Sequence, residues 1–219
     1  MSDEQIDGAI LFGDLSGFTA LTEAHGDTTA VELLQRFYAL ASAALCDGAR
    51  LVKTIGDAVM VFAPTPTAAI RTARLLRHAV HLEQRWPSLR SGLHAGPVIE
   101  RGADSFGATV NLASRVAAQA SPGQILCTRA VVRALTATEF VFRPLGEVRF
   151  KNVLEACEVF ELVDGESSSM VEVDPVCRMR VDPFKASHHF RFEGATYFFC
   201  SARCATAFAA TPRRFIRLT

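Results

Sequence analysis

The residues whose types and spacing could do chemistry begin in the stretch Leu51–Phe62, which reads Leu-Val-Lys-Thr-Ile-Gly-Asp-Ala-Val-Met-Val-Phe. Two β-rich arms flank Gly56-Asp57, a dipeptide that favours a two-residue hairpin turn. The turn carries a carboxylate, Asp57, and one arm carries a cation, Lys53, both among apolar neighbours. Charge beside an apolar hairpin needs a partner, because burying it alone is costly. A second carboxylate, Asp14, closes the apolar run Ala9–Leu15, read here as a buried central strand, before Ser16-Gly17-Phe18 opens helical sequence. A carboxylate there, next to a helix N-terminus, suits a metal-bound phosphate, although this segment alone reads first as a helix cap.

Asn111 and Arg115 stand four apart in a segment that looks helical from Thr109 onward, so both project from one helix face. An amide and a guanidinium together can orient a sugar and meet a phosphate, although ordinary surface polar groups share this spacing. Lys151 ends a strand, where a lysine is normally just solvated. His94 lies in an apolar strand and reads as a satisfied core residue rather than a base or ligand.

These side chains need a scaffold. Thr29-Ala-Val-Glu32 reads as a capping box for a helix running to about Cys46, with Val31, Leu34, Phe37, Ala41 and Leu45 facing a sheet. Thr65-Pro66 starts another helix whose apolar face includes Ile70, Ala73, Leu76 and Val80, while Arg71, Arg74, Arg77 and Arg85 form a solvated face. Leu89–Glu100 reads as a strand whose glycines permit close backbone approach. Pro122-Gly123 ends the helix carrying Asn111, and strands follow over Gln124–Thr128, Glu139–Lys151 and Ala156–Val163.

Four blocks in order resemble the class III adenylyl and guanylyl cyclases: Phe12-Gly-Asp-Leu-Ser-Gly-Phe18, Lys53-Thr-Ile-Gly-Asp57, Asp104 through Arg115, and Leu145-Gly-Glu-Val-Arg-Phe-Lys151. The resemblance covers about Ile6–Val163 and implies an α+β fold, a ferredoxin-like sheet covered by helices, dimerising head to tail with active sites between protomers. It implies that Asp14 and Asp57 hold two Mg²⁺ or Mn²⁺ ions. Amides of Leu15, Ser16, Gly17 and Phe18 would cradle the β- and γ-phosphates. Lys53 and Asp104 match the positions that select the purine: a lysine donor and an aspartate acceptor suit adenine and not guanine. Asn111 would orient the ribose, Arg115 would stabilise the α-phosphate transition state, and Lys151 would hold the pyrophosphate end. Both half-sites sit in one chain, which implies a homodimer with two shared sites acting on ATP.

The remainder changes character. Asp164-Gly-Glu-Ser-Ser-Ser reads as a flexible linker, giving domains at 1–163 and 172–219 with a linker at 164–171. The final segment is Phe-rich and has more basic than acidic residues. Asp174-Pro-Val-Cys-Arg-Met179 and Tyr197-Phe-Phe-Cys200-Ser-Ala-Arg-Cys204 resemble the YHS domain, a relative of the metal-associated TRASH modules, with Arg178 where a glycine is usual. Cys177, Cys200 and Cys204 would make a soft site for copper, zinc or a heavier ion, with His188, His189 or water as a fourth ligand, or would simply be buried. As a hypothesis, this small α/β module regulates the cyclase through metal or thiol redox state. The other cysteines, Cys46, Cys127 and Cys157, read as buried free thiols.

Twenty-three basic residues balance 23 acidic ones, which points away from nucleic-acid or membrane-surface binding. No apolar run is long enough for a membrane span and the N-terminus lacks a signal-peptide pattern, so a cytoplasmic protein is expected. Alternatives to an adenylyl cyclase are a guanylyl cyclase, disfavoured by Lys53 and Asp104, and a catalytically weak nucleotide-binding dimer acting as a metal or redox sensor.

Overall fold

The computed structural model describes residues 4–135, 139–163 and 171–216. In chain order, β1 (Glu4–Leu15) leads to α1 (Phe18–His25) and α2 (Asp27–Ala43), then the hairpin of β2 (Arg50–Ile55) and β3 (Ala58–Ala63). Next come α3 (Pro66–Leu82), β4 (Leu89–Arg101), β5 (Asp104–Phe106), α4 (Ala108–Gln119), β6 (Ile125–Thr128), α5 (Arg129–Arg133), β7 (Val141–Val148) and β8 (Cys157–Val163). The C-terminal elements are β9 (Glu172–Val173), β10 (Arg180–Val181), β11 (His188–Phe192), β12 (Ala195–Phe199), α6 (Ala202–Ala210) and α7 (Pro212–Ile216). Most of the expected linker, 164–170, lies outside the described residues.

The chain forms two compact units: one of residues 4–14, 37–80 and 89–163, the other of residues 15–36, 81–88 and 171–216. The first is a mixed sheet in the order β2-β3-β1-β4-β6-β8-β7, with β5 paired to β4. Side chains alternate across a strand, so β1 serves two cores at once. Ala9 and Leu11 pack with Ile70 and Ala73 of α3 and Val131 of α5. Ile10 and Phe12 pack on the other face with Ala113 and Ala117 of α4. A continuous apolar run is what a strand covered on both faces requires.

Close approach of α4 depends on Gly92 in β4: a Cβ there would lie 2.0 Å from the backbone nitrogen of Ala117. The turn of the β2–β3 hairpin places Gly56 at φ 57°, a region that glycine enters at little cost. Thr65 caps α3, its Oγ1 accepting from the Ala68 N–H at 3.1 Å.

The expected stripe of α2 holds in part: Phe37 and Ala41 are buried, Leu45 packs against the core and Leu34 is half-buried, whereas Val31 is exposed and Ala30 and Leu33 are buried beside it. The helix begins at Asp27 rather than behind a Thr29 cap, and the Ala30 N–H donates to the Gly26 carbonyl at 3.2 Å. The arginines of α3 are not merely solvated: Arg71 pairs with Asp47 and Glu139, and the guanidinium of Arg74 lies 5.8 Å from the Phe140 ring. Cys46, Cys127 and Cys157 are free thiols as expected, but only Cys127 is fully buried, and burial pushes its pKa up to about 12.

In the second unit, β11 and β12 form a hairpin over α6, and Phe208 of α6 gathers the rings of Phe190, Phe192, Tyr197, Phe199 and Phe215. Ser201 caps α6, accepting from the Cys204 N–H at 3.3 Å. Arg180 of β10 donates to the carbonyls of His81, Glu83 and Trp86, binding the segment that ends α3. Carbonyls at a helix C-terminus carry partial negative charge, so a guanidinium is a suitable partner.

Candidate active site

In the first unit, β1 pairs antiparallel with β3 and sets Asp14 opposite Ala58, the residue after Asp57. The two carboxylates are close enough to repel. Burial first, and then the Asp14 charge, raise the Asp57 pKa above its ordinary value. Arg90 of β4 answers the charge with an ion pair to Asp14 and also tempers Asp57. Two half-buried carboxylates that repel one another and recruit a guanidinium have the donor chemistry of a hard divalent-cation site. Asp14 and Asp57 therefore fit the metal pair that the sequence motifs imply. Arg90 was not singled out from sequence, since one arginine in a strand start carries no signature.

On the same sheet, Lys53 of β2 donates from Nζ to Asp104 Oδ2 of β5 at 2.8 Å. The Asp104 carboxylate also accepts the Ser105 N–H at 2.8 Å, and the Lys53 ammonium lies 5.5 Å from the centre of the Phe106 ring. The hydrogen bond from Lys53 is the main reason the Asp104 pKa is lowered. The result is one cationic donor, over an aromatic ring, beside one acceptor.

Asn111 and Arg115 are exposed on one side of α4, opposite Ala113, Val116 and Ala117, which are buried. Lys151 is exposed in the loop after β7. No contact brings these three to the carboxylates among the described residues of a single chain. His94 is satisfied by Thr128, with 2.7 Å between Nδ1 and Oγ1, and burial lowers its pKa, consistent with a core role.

Within the second unit, Gly17 takes a left-handed conformation (φ 80°) and no side chain caps α1. Ser16 is only partly available as a donor, because its N–H is bonded to the Ser88 carbonyl at 2.8 Å. Its hydroxyl is buried and has no hydrogen-bond partner among the described residues. An unmatched hydroxyl beside a glycine turn at a helix start is suited to a phosphate oxygen. Leu15 is buried and Phe18 begins the helix.

The three C-terminal cysteines converge, and so does a residue not anticipated from sequence. His25, the last residue of α1, brings Nε2 to 3.5 Å from Cys200 Sγ and 3.8 Å from Cys204 Sγ. The expected fourth ligands are not in the cluster: His188 and His189 are on β11, and the His189 ring packs against Phe198. A histidine 152 positions before Cys177 leaves no local pattern to read.

Asp174 is also a structural surprise. Fully buried, it accepts N–H bonds from Val176 at 2.8 Å, Cys177 at 3.4 Å and Cys200 at 2.9 Å, joining the two cysteine turns. Hydrogen bonds with Cys177 and Cys200 hold the Cys204 thiol well below its usual range.

Comparison with known proteins decides the family. Residues 2–163 match the model described as the adenylate and guanylate cyclase catalytic domain. The chain belongs to that family. Residues 173–219 match the YHS domain. An adenylate cyclase of Glutamicibacter nicotianae is 30% identical over 164 residues, covering 74% of this chain and 41% of the relative. A pH-sensitive adenylate cyclase of Mycobacterium tuberculosis is 37% identical over 126 residues, covering 58% of this chain and 32% of the relative. The chain thus spans well under half of these curated relatives. Among solved structures, an adenylate/guanylate cyclase/hydrolase of Silicibacter pomeroyi matches with a TM-score of 0.65 at 28% identity, covering 74% of this chain and 99% of that one. The adenylyl cyclase fold of P. aeruginosa matches at TM-score 0.67 and 21% identity, over 75% of this chain and 97% of that chain. The cyclase domain is therefore a mixed sheet covered by helices, as the motifs implied. Among the described residues no helix is long and apolar enough to cross a membrane.

Proposed function

We propose that the chain is an adenylyl cyclase that converts ATP to 3′,5′-cyclic AMP and pyrophosphate in a homodimer with two shared sites. The observation that carries the base choice is the Lys53–Asp104 pair, whose donor and acceptor lie side by side at 2.8 Å. Adenine presents an acceptor at N1 and an amino donor at C6, the complement of that pair. The relatives named adenylate cyclase support the same reading.

Each residue then has a task. Asp14 and Asp57 bind the divalent ions, Mg²⁺ or Mn²⁺. When bound, such ions stabilise negative charge on the attacking ribose oxygen and the departing pyrophosphate. The loop of Leu15, Ser16, Gly17 and Phe18 holds the β- and γ-phosphates through the Ser16 hydroxyl and the helix start. Asn111 fixes the ribose, Arg115 meets charge that grows on the α-phosphate, and Lys151 holds the pyrophosphate end.

The separation of Asn111 and Arg115 from the carboxylates within one chain agrees with a site completed by a partner. Asp14 and Asp57 would come from one protomer, and Lys53, Asp104, Asn111, Arg115 and Lys151 from the other. The proposal is tested by incubating purified protein with ATP or GTP and Mn²⁺ and resolving the products. Cyclic AMP from ATP, with little cyclic GMP from GTP, supports it; cyclic GMP as the main product overturns the base assignment.

A further inference from the structure

We propose that His25 of the cyclase helix α1 completes a tetrahedral zinc-class site with Cys177, Cys200 and Cys204, fastening the start of the cyclase fold to the YHS module. This site does not rest on the adenylyl cyclase reading. A zinc ion with sulfur at about 2.3 Å and nitrogen at about 2.0–2.1 Å has tetrahedral edges of about 3.8 Å between sulfurs and about 3.6 Å between sulfur and nitrogen.

Four of the six edges of the cluster are within about 0.4 Å of those lengths. Cys177 and Cys200 Sγ are 3.4 Å apart, and Cys200 and Cys204 Sγ 3.7 Å; His25 Nε2 is 3.5 and 3.8 Å from the latter two. All four ligand atoms lie within 4.8 Å of one another. The three thiols are free and buried, so no disulfide uses them. Three soft thiolates and one imidazole form a closed donor set with no position left for substrate, the pattern of a structural rather than a catalytic ion.

Hydrogen bonds hold the cysteine turns in place. Asp174 fixes the Cys177 and Cys200 turns through their own N–H groups, and Ser201 fixes the Cys204 turn. His25 ends a helix whose first turn follows Gly17, and there the module makes a second contact. A Cβ at Gly17 would fall 2.6 Å from the Cβ of Arg178, next to Cys177 in sequence. Arg178 occupies φ 64°, the conformation for which the usual glycine is suited. The arginine that replaces it packs on the proposed phosphate loop. The module thus grips both ends of α1: one end through Arg178 on Gly17, the other through the ion on His25.

The test uses the full-length chain, reduced, stripped of metal and titrated with Co²⁺ and then Zn²⁺. One equivalent of Co²⁺ should give thiolate charge-transfer bands and the intense d–d bands of tetrahedral geometry, bleached by Zn²⁺. His25→Ala should shift the d–d bands and weaken Zn²⁺ binding roughly tenfold or more. His25→Cys, which keeps four donors, should retain tetrahedral binding with a four-thiolate spectrum and controls for misfolding. Absence of Co²⁺ binding by protein with titratable free thiols would overturn the site. An unchanged spectrum and affinity in His25→Ala, with the fold intact by circular dichroism, would remove His25 from it.

Discussion

Lys53 of β2 and Asp104 of β5, 51 positions apart, meet through one hydrogen bond of 2.8 Å although their strands do not pair with each other. Each is more than a third exposed, so the pair contributes little to stability and is free to exchange its partners for a base. Replacing Asp104 with Ala removes the acceptor for the adenine amino group and leaves Lys53 without its partner. We expect kcat/KM for ATP to fall about ten- to 100-fold, from the cost of an unmade polar contact in a recognition site. Lys53→Glu should lower ATP turnover similarly and raise the GTP-to-ATP ratio. Steady-state rates with both nucleotides check this; an unchanged ratio in both variants would remove the pair from base selection.

Arg90 neutralises Asp14, and its charge lowers the Asp57 pKa against burial and Asp14, which raise it. Asp57 must be ionised to bind a cation. Its folded pKa is raised, so activity at limiting metal should fall with decreasing pH from above the ordinary carboxylate range. Arg90→Leu removes the lowering influence and should move that acid limb to higher pH. It also removes a competing cation, so at alkaline pH the Mn²⁺ concentration for half-maximal activity should drop. Opposite movement of either quantity would contradict the role given to Arg90.

Gly92 is where β4 lets α4 approach. Gly92→Ala sets a methyl 2.0 Å from the Ala117 nitrogen, which belongs to backbone and cannot rotate away. The expected cost is about 1–3 kcal/mol, from overpacking in a filled core. For a chain of this size each kcal/mol corresponds to a fall of about 2–4 °C in melting temperature. The displaced helix carries Asn111 and Arg115, so kcat should fall more than KM changes. Differential scanning calorimetry with kinetics checks both.

Asp174→Ala leaves the Val176, Cys177 and Cys200 N–H groups without their acceptor. Buried donors left unpaired cost about 1–3 kcal/mol each, more than a small module can absorb. Limited proteolysis should cut the variant within residues 171–216 while the cyclase domain persists. Asp174→Asn keeps an acceptor oxygen and should be intermediate.

Much of the cyclase domain was legible because its signals are local. The apolar run ending in Asp14, Gly-Asp between β arms and the i, i+4 spacing of Asn111 and Arg115 each declare an element and its polar passenger together. On α2 Phe37 and Ala41 are buried as read, but the start of the stripe was misread because alternative apolar rows differ by one residue, and packing chose Ala30 and Leu33 over Val31. Arg90, Asp174 and His25 were missed for a different reason. Each acts through contacts with residues distant in sequence, or through main-chain N–H groups that leave no mark on composition. The cysteine spacing declared a cluster, but the fourth donor came from a helix at the other end of the chain.

If two copies of this chain build each active site, as proposed, mixing two inactive proteins tests it most directly. Asp57→Ala lacks a metal carboxylate and Arg115→Ala lacks the transition-state cation, so each should make almost no cyclic AMP alone. Mixed in equal amounts and allowed to exchange, half of the dimers carry one intact site. Recovery of about a quarter of wild-type activity is therefore expected from random pairing. If heterodimers are demonstrated and cyclic AMP production stays at the level of the separate variants, the shared-site account is wrong.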